Sequence, residues 1–340
     1  MQADAESMAS GTHQMIRRTV NRSLGTNSQA LLNLLGVLAV SLSWGLGGPL
    51  CWLATRQMSV ADVTVGRCFF AFLGLVPFFV RDGRSILASL PRKAFVLLVI
   101  TGLVLGVHFY LFIGGVAYAS LATAVTLVAV EPALILLVGV VGFGERLRLE
   151  SLFGIVLCIA GIFVISVLPH LGEAANRDAS PRLYGDICAV AAVVAYATYY
   201  GLNRAFRKYE TVLPRAISGL RRSFGLAAII YFFATLSSGA LVIVSHVRDR
   251  TPFVLPDGRS LLALIAMGLI PTLLGHTLSQ VVSRKAHPIW VSLMSPGETV
   301  FALLIGALFL NQTMGRYEAS GSILILFGVL LAAYSETKTV

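Results

Sequence analysis

The sequence contains a succession of apolar stretches, most of them about 20 residues long, joined by short polar segments. A helix needs about 20 apolar residues to cross the hydrocarbon core of a bilayer, so each stretch predicts a membrane-spanning helix. The stretches are continuous and do not alternate with a period of two, which excludes a transmembrane β-barrel. The sequence thus predicts an all-α membrane protein with ten transmembrane helices at roughly residues 31–53, 60–80, 94–113, 118–142, 150–168, 184–202, 218–245, 260–282, 287–310 and 319–336.

Composition supports the membrane class. Hydrophobic residues make up 56% of the chain and charged residues only 12%, about half the charged fraction of a typical soluble protein. The net charge of +10 does not indicate nucleic-acid binding, which needs basic residues clustered on a water-facing domain. Residues 1–29 are polar and predict a disordered tail. The four cysteines lie inside apolar stretches and indicate buried side chains, not a disulfide framework or a metal site. No cofactor is expected.

The distribution of lysine and arginine predicts the orientation, because cytoplasmic loops carry an excess of both. If the N-terminus is cytoplasmic, sixteen of these residues lie inside and seven outside. Three more, Arg67, Arg221 and Arg222, lie at or within helices. We therefore expect both termini to be cytoplasmic.

The two halves of the sequence resemble each other. Three rare intramembrane residue types recur in the same order, and two glycines recur with them. The matches are Glu131 with Glu298, Gly154 with Gly321 and Gly161 with Gly328 at an offset of 167, His108 with His276 at 168, and Arg67 with Arg221 at 154.

Each half holds five predicted helices, an odd number, so the second half enters the membrane inverted. We expect a first repeat at residues 30–170 and a second, inverted repeat at 183–337. In secondary transporters built this way, the substrate site lies near the bilayer midplane between the repeats. Channels also contain inverted repeats, so the repeat alone does not establish alternating access.

Two segments carry a resemblance to a known family. They are "EPALILLVGVVGFGERLRLESLFGIVLCIAG", which begins at Glu131, and "GHTLSQVVSRKAHPIWVSLMSPGETVFALLIGALFLNQTM", which begins at Gly275. Through them the chain resembles the EamA-type permeases of the drug/metabolite transporter superfamily over residues 31–337. The family's Pro-to-Gly-Glu pattern stands as Pro132 followed by Gly144 and Glu145.

The second half departs from this pattern. Thr299 stands where the family has proline after Glu298, and Asn311-Gln312 replaces Gly-Glu. The resemblance implies ten helices and export of amino acids or related metabolites without ATP. Because Gln312 stands where the first half has Glu145, a role that needs a charge at both corresponding loop positions is not supported.

Glu131 and Glu298 are the first candidates for a binding or coupling role. A charged group at the bilayer centre is costly unless it faces a wet cavity, is neutralised or finds a partner. Both glutamates fall near the midplane, where they are expected to bind a substrate amine or carry a proton. The alternative is a structural role in packing two helices.

Arg67 and Arg221 are candidates for binding a substrate carboxylate or holding a glutamate, although both lie near helix starts, where long side chains reach to the interface. His108 and His276 are candidate proton carriers or hydrogen-bond donors, or else they join helices.

Aromatic side chains complete the predicted site. Trp44 stands in the glycine-rich segment "SWGLGGPL", and Tyr196 stands in the mirrored helix. Both are expected to form a substrate-contacting wall, against the alternative of packing or an interfacial belt. Tyr110 and Gln280 are the remaining candidates.

The function predicted from these features is that of a secondary transporter of small organic metabolites, not an enzyme. Amino acids or related compounds are the expected substrates, with protons as the expected coupling ion. The membrane is expected to be a bacterial inner membrane, and the protein a monomer or homodimer. The alternatives are a translocator of nucleotide sugars, phosphorylated metabolites or lipid carriers, a channel, and a membrane-embedded enzyme.

Overall fold

The computed structural model describes residues 31–146, 148–169, 179–217, 219–250, 255–283 and 293–337. These residues are almost all helical, and none of them forms a strand. The predicted tail at residues 1–29 and the start of the predicted ninth helix lie outside the described residues.

Eight helices in the described part are long and apolar enough to cross a membrane. They are α1 (Leu31–Thr55), α2 (Val60–Ser89), α3 (Arg92–Tyr118), α4 (Leu121–Phe143), α5 (Leu149–Ser166), α6 (Pro181–Val212), α7 (Gly219–Arg248) and α8 (Gly258–Ser279). Two further helices follow, α9 (Met294–Leu310) and α10 (Arg316–Thr337). The all-helical membrane class is confirmed, whereas a count of ten crossings stays a prediction.

Several helices run longer than the apolar stretches that predicted them. Helix α2 was expected to end near residue 80 but continues to Ser89 through a π-helical turn, Phe79–Gly83. Helix α6 was expected to end near residue 202 but continues to Val212 as a 3₁₀ turn, Arg207–Val212. Both extensions are polar, so hydropathy gives no sign of them.

Helix α4 is interrupted immediately before Glu131. Pro132 has no N–H to donate to the carbonyl of Val128, four residues earlier, and its ring would clash with that carbonyl in a continuous helix. The helix therefore divides into Leu121–Val128 and Glu131–Phe143, joined by a turn in which Ala129 and Val130 bond to carbonyls three residues back. The carboxylate of Glu131 thus stands at a helix N-terminus inside the bundle, where the helix dipole favours negative charge.

Helices of the two halves pack against each other in a regular pattern. Helix α1 contacts α8 and α9, and α6 contacts α3 and α4. Helix α2 packs along α7, and α5 packs along α10. Each of these contacts recurs when every helix is replaced by its counterpart in the other half. The division into repeats at 30–170 and 183–337 nevertheless stays a prediction.

The α5–α10 contact brings two backbones together. A methyl group placed on Gly161 would lie 2.8 Å from the carbonyl oxygen of Gly321, and one on Gly328 would lie 2.6 Å from that of Gly154. Only glycine permits this approach, which is typical of closely packed membrane helices.

The outer surface of the bundle is apolar. Phe153, Ile159 and Phe163 of α5 are about half exposed, and Leu308 and Phe309 of α9 are three-quarters exposed. Soluble proteins rarely expose contiguous apolar surface of this extent. These side chains therefore face lipid, and the polar groups lie inside.

Candidate functional site

Arg67 lies inside the helix bundle. Its side chain is buried, and its Nε donates a hydrogen bond of 2.9 Å to Thr272 Oγ1. The guanidinium carbon stands 4.0 Å from the centre of the Phe109 ring, in cation–π geometry. Its Nη1 has no hydrogen-bond partner among the described residues. Arg67 thus presents a free donor to the interior and does not reach to the membrane surface.

A proline explains why Thr272 is available to Arg67. Pro271 cannot donate to the carbonyl of Met267, four residues earlier, and α8 forms a π-helical turn here, Gly268–Gly275. The hydroxyl of Thr272 donates to that carbonyl at 2.8 Å. Gly268 lets α8 approach α2, since a methyl on it would lie 3.1 Å from the carbonyl oxygen of Arg67.

Glu131 and Glu298 are brought to the same part of the interior as Arg67. Both carboxylates interact electrostatically with the guanidinium of Arg67, and Glu131 also interacts with Glu298. Glu131 is 8% exposed, and its Oε1 has no hydrogen-bond partner in the described part of the chain. Glu298 is partly buried. One cation therefore stands among two carboxylates.

Neighbouring contacts fix the helix that carries Glu298. The hydroxyl of Thr299 donates to the carbonyl of Val125 at 3.1 Å, which joins α9 to α4. Gly45 of α1 lies against the same turn, since a methyl there would be 3.0 Å from the carbonyl oxygen of Glu298. Threonine at this position therefore gives a link between the helices that carry the two glutamates.

Each histidine contacts an aromatic ring from the opposite half. His108 of α3 lies 5.0 Å from the ring of Tyr196 of α6, and its Nδ1 donates to the carbonyl of Ala192 at 2.9 Å. His276 of α8 lies 5.5 Å from the ring of Trp44 of α1. The two pairs occupy corresponding helices of the two halves.

The position of Trp44 depends on Gly275. A methyl on Gly275 would come within 2.6 Å of Cδ1 and 2.8 Å of Nε1 of the indole. The indole N–H has no hydrogen-bond partner among the residues that the structure describes. Trp44 therefore adds a second free donor beside His276.

These residues form one group, which we call the central cluster: Trp44, Arg67, His108, Glu131, Tyr196, His276 and Glu298. Arg67 interacts electrostatically with both histidines, and the two histidines interact with each other. Tyr196 interacts electrostatically with both glutamates. Seven of the ten predicted site residues are thus neighbours inside the bundle.

Arg221 is not brought into the central cluster. It lies at the start of α7, with about a third of its side chain exposed, and binds the buried carboxylate of Asp82 through both Nε and Nη2. Its role in this structure is to join α7 to the π-helical turn of α2.

Two other predicted site residues, Tyr110 and Gln280, are not members of the central cluster. Tyr110 is two residues from His108, or roughly 200° around the helix, and it interacts electrostatically with Tyr184. The side chain of Gln280 lies outside the described part of the chain.

Sequence reasoning missed two residues near Arg67. Thr272 is its hydrogen-bond partner, and Tyr231 is a buried residue of α7 that interacts with it electrostatically. The signal for Thr272 was its place after a proline inside an apolar stretch, where a free carbonyl needs a donor. Tyr231 had no such signal, because nothing in the sequence distinguishes it from the other aromatic residues of the apolar stretch that forms α7.

A narrow cleft reaches this region from the start of α7. It lies between α2, α7 and α8, and its polar lining includes Ser223, Tyr231, Thr272, His276 and Thr277. Its volume of about 20 Å³ accommodates little more than one water molecule.

Apolar helices that enclose an ionisable group define a multi-pass membrane protein with a polar site in its interior. The sequence model of the EamA-like transporter family matches residues 31–167 and 183–334. The chain therefore belongs to the EamA-like transporter family, as the sequence resemblance predicted, and it is a membrane transport protein.

Known relatives agree with this assignment. The chain is 25% identical over 314 residues to "Uncharacterized transporter YojE" of Bacillus subtilis, covering 89% of this chain and 95% of that protein. It is 24% identical over 193 residues to "Probable amino-acid metabolite efflux pump" of Salmonella typhimurium, covering 56% of this chain and 60% of that protein. A solved crystal structure matches the fold with a TM-score of 0.58 and 19% identity, over 90% of this chain and 98% of the other.

Proposed function

We propose that the protein is a secondary transporter that exports amino acids or related small organic metabolites across a bacterial inner membrane by alternating access. The central cluster is its substrate site, and protons are the coupling ion. The relative from Salmonella typhimurium is named for amino-acid metabolite efflux, which supports this substrate class.

One observation carries the proposal. Among the described residues, three buried polar atoms of the central cluster have no hydrogen-bond partner: Nε1 of Trp44, Nη1 of Arg67 and Oε1 of Glu131. Buried polar groups in proteins are nearly always paired, so each such exception needs an explanation. Two are donors suited to a carboxylate, and one is an acceptor suited to an ammonium group. An α-amino acid carries both groups.

The cluster's position between the halves supports alternating access. Its members come from α1, α2, α3, α4, α6, α8 and α9, so relative movement of the proposed repeats 30–170 and 183–337 would change its access to each face. The two ranges matched by the family model and the recurring helix contacts support the repeat layout. Placing both termini inside puts sixteen lysines and arginines on the cytoplasmic side and seven on the other, and this excess supports the orientation.

The charge of the cluster disfavours phosphorylated substrates. A phosphate group is best bound by several cations. Arg221 is paired with Asp82, which leaves Arg67 as the one arginine of the central cluster, facing two carboxylates. A nucleotide-sugar translocator would therefore have an unfavourable site here.

Counterflow in proteoliposomes tests the proposal. Vesicles are loaded with a high concentration of unlabelled compound and placed in buffer that contains a trace of the same compound in labelled form. Pools of amino acids, nucleosides and phosphorylated sugars are compared in this way. We expect transient, saturable accumulation with amino acids. The matched control is the Arg67→Ala protein in the same vesicles, which should not accumulate label.

Two outcomes would contradict the proposal. Flux that rises linearly with concentration, without counterflow, would indicate a channel. Accumulation of phosphorylated sugars and not of amino acids would indicate the alternative substrate class.

A further inference from the structure

A second, larger cleft lies away from the central cluster, where α4 and α6 end. It has a volume of about 640 Å³. Its lining is largely apolar at one end and basic at the other: Val138, Gly142, Phe143, Thr198, Gly201, Leu202, Arg204, Ala205 and Lys208. The polarity therefore changes along the cleft.

One glycine leaves open space in the cleft and another lets its walls approach. A methyl on Gly142 would meet no atom within 4 Å, whereas a methyl on Gly201 would lie 3.0 Å from the side chain of Val138. From Thr198 to Lys208 the helix rises about 15 Å, of which residues 198–202, before the basic end, take about 6 Å. The groove therefore covers part of an apolar chain directly beside the basic end.

The basic end lies where the two helices leave the apolar region. Arg204 binds Glu145 and stands 4.2 Å from the centre of the Phe143 ring. The ammonium group of Lys208 lies over the ring of Tyr209 and has no acidic partner among the described residues. Arg207 is exposed beside it. The end of the cleft therefore has an excess of positive charge.

A tyrosine marks the depth of this end. Tyr209 lies next to Lys208 in the 3₁₀ turn that ends α6. Tyrosine is enriched at the level of the lipid headgroups. Basic pockets between membrane helices at this level attract anionic lipid headgroups.

We propose that this cleft binds one anionic phospholipid. The headgroup phosphate lies at Lys208 and Arg204, and an acyl chain lies along Val138, Gly142 and Gly201. A soluble phosphate would use only the basic end and would leave the apolar length of the cleft uncovered. A phospholipid covers both, and it is present wherever a bilayer surrounds the helices.

Native mass spectrometry of the full-length protein, titrated with phosphatidylglycerol or phosphatidylcholine, tests the proposal. We expect phosphatidylglycerol to bind more tightly to the unmodified protein. Lys208→Gln should weaken phosphatidylglycerol binding about five-fold and leave phosphatidylcholine binding unchanged. The matched control for charge is Arg259→Gln, at the start of α8, which should change neither.

Filling the groove provides an independent variant. Gly142→Phe should weaken the binding of both lipids, since the ring occupies the space of the acyl chain. Gly239→Phe is the matched control, because a methyl on Gly239 also meets no atom within 4 Å. A melting temperature close to that of the unmodified protein shows that each variant is folded.

Three results would overturn the proposal: equal affinity for the two lipids, an unchanged affinity in Lys208→Gln, or displacement of phosphatidylglycerol by millimolar inorganic phosphate. The last would identify a site for free phosphate in place of a lipid site.

Discussion

The two halves of the molecule carry the same ionisable residue types but use them differently. Glu131 and Glu298 both join the central cluster, and His108 and His276 make matching contacts with aromatic rings. The arginines differ. Arg67 is buried with a free donor, whereas Arg221 binds Asp82 near the surface. Equivalent residues in a repeat therefore do not guarantee equivalent environments.

This difference sets the charge of the proposed site. If Arg221 matched Arg67 in position, two arginines would face two glutamates. In the structure only Arg67 interacts with both glutamates, so the two halves contribute different basic groups to the interior. The asymmetry thus bears on which ligands the two halves can hold between them.

The largest expected effect separates the two arginines. Arg67→Ala should lower apparent substrate affinity about 100-fold, because truncating one partner of a buried charge interaction leaves the other unpaired. Arg221→Ala should leave substrate affinity unchanged and lower the melting temperature, since it leaves the buried carboxylate of Asp82 unpaired. Counterflow and thermal unfolding measure both quantities. A loss of affinity in Arg221→Ala equal to that in Arg67→Ala would refute the comparison.

The glutamates should differ less than the arginines. Glu131→Gln should weaken binding about 10-fold, in line with hydrogen bonds to charged groups. Glu298→Gln should have a smaller effect, because its side chain is less buried. The concentration dependence of counterflow at several pH values distinguishes them. If Glu298→Gln transports normally with unchanged pH dependence, Glu298 has no part in the mechanism.

The starts of α5 and α10 provide a comparison of stability. Glu318 is buried and accepts hydrogen bonds from Ser120 (2.6 Å), Thr123 (2.8 Å) and the N–H of Gly315 (2.7 Å). Glu318→Ala leaves these donors unpaired and should lower the free energy of unfolding by about 2–4 kcal/mol. The control is Glu150→Ala at the start of α5, where the ion pair with Arg148 is partly exposed.

Chemical denaturation in detergent measures both variants. The change in Glu150→Ala should stay below about 1 kcal/mol, as is usual for exposed ion pairs. Equal changes in the two variants would show that Glu318 does not join α10 to α4 in the way described.

The smallest expected effect concerns the starts of α3 and α8. Helix α8 is capped by Asp257, which accepts a hydrogen bond of 2.8 Å from the N–H of Ser260, whereas α3 follows Pro91 and has no side-chain cap. The hydrogen bonds from Ser260 lower the pKa of Asp257. A lowered pKa in the folded state means that the carboxylate stabilises α8 above its unfolded pKa, and that this stability is lost as the pH falls through the folded pKa.

Asp257→Asn keeps the cap without the charge and should remove this pH dependence with little change at neutral pH. Melting temperatures measured between pH 7 and the acid range test this. An unchanged acid dependence in Asp257→Asn would show that other carboxylates cause it.

The sequence was sufficient for the fold class and for much of the central cluster. Apolar length predicted the helices, and the rarity of charge inside them singled out Arg67, Glu131 and Glu298. The environment of Arg221 could not be predicted, because its partner Asp82 lies in a polar extension of α2 beyond the apolar stretch. The facing direction of Tyr110 was also hidden, since α3 is apolar on every side and periodicity does not orient it.

The glycine crossing of α5 and α10 has a mechanical consequence. Because each glycine touches the opposite backbone, neither helix can slide or turn against the other without steric collision. The pair therefore moves as one rigid body, and any rearrangement that exposes the interior must be made by the remaining helices. Substitutions in α5 and α10 should show this difference. A single added carbon at Gly161 or Gly328 should destabilise the protein, whereas lipid-facing positions one turn away should accept most apolar side chains.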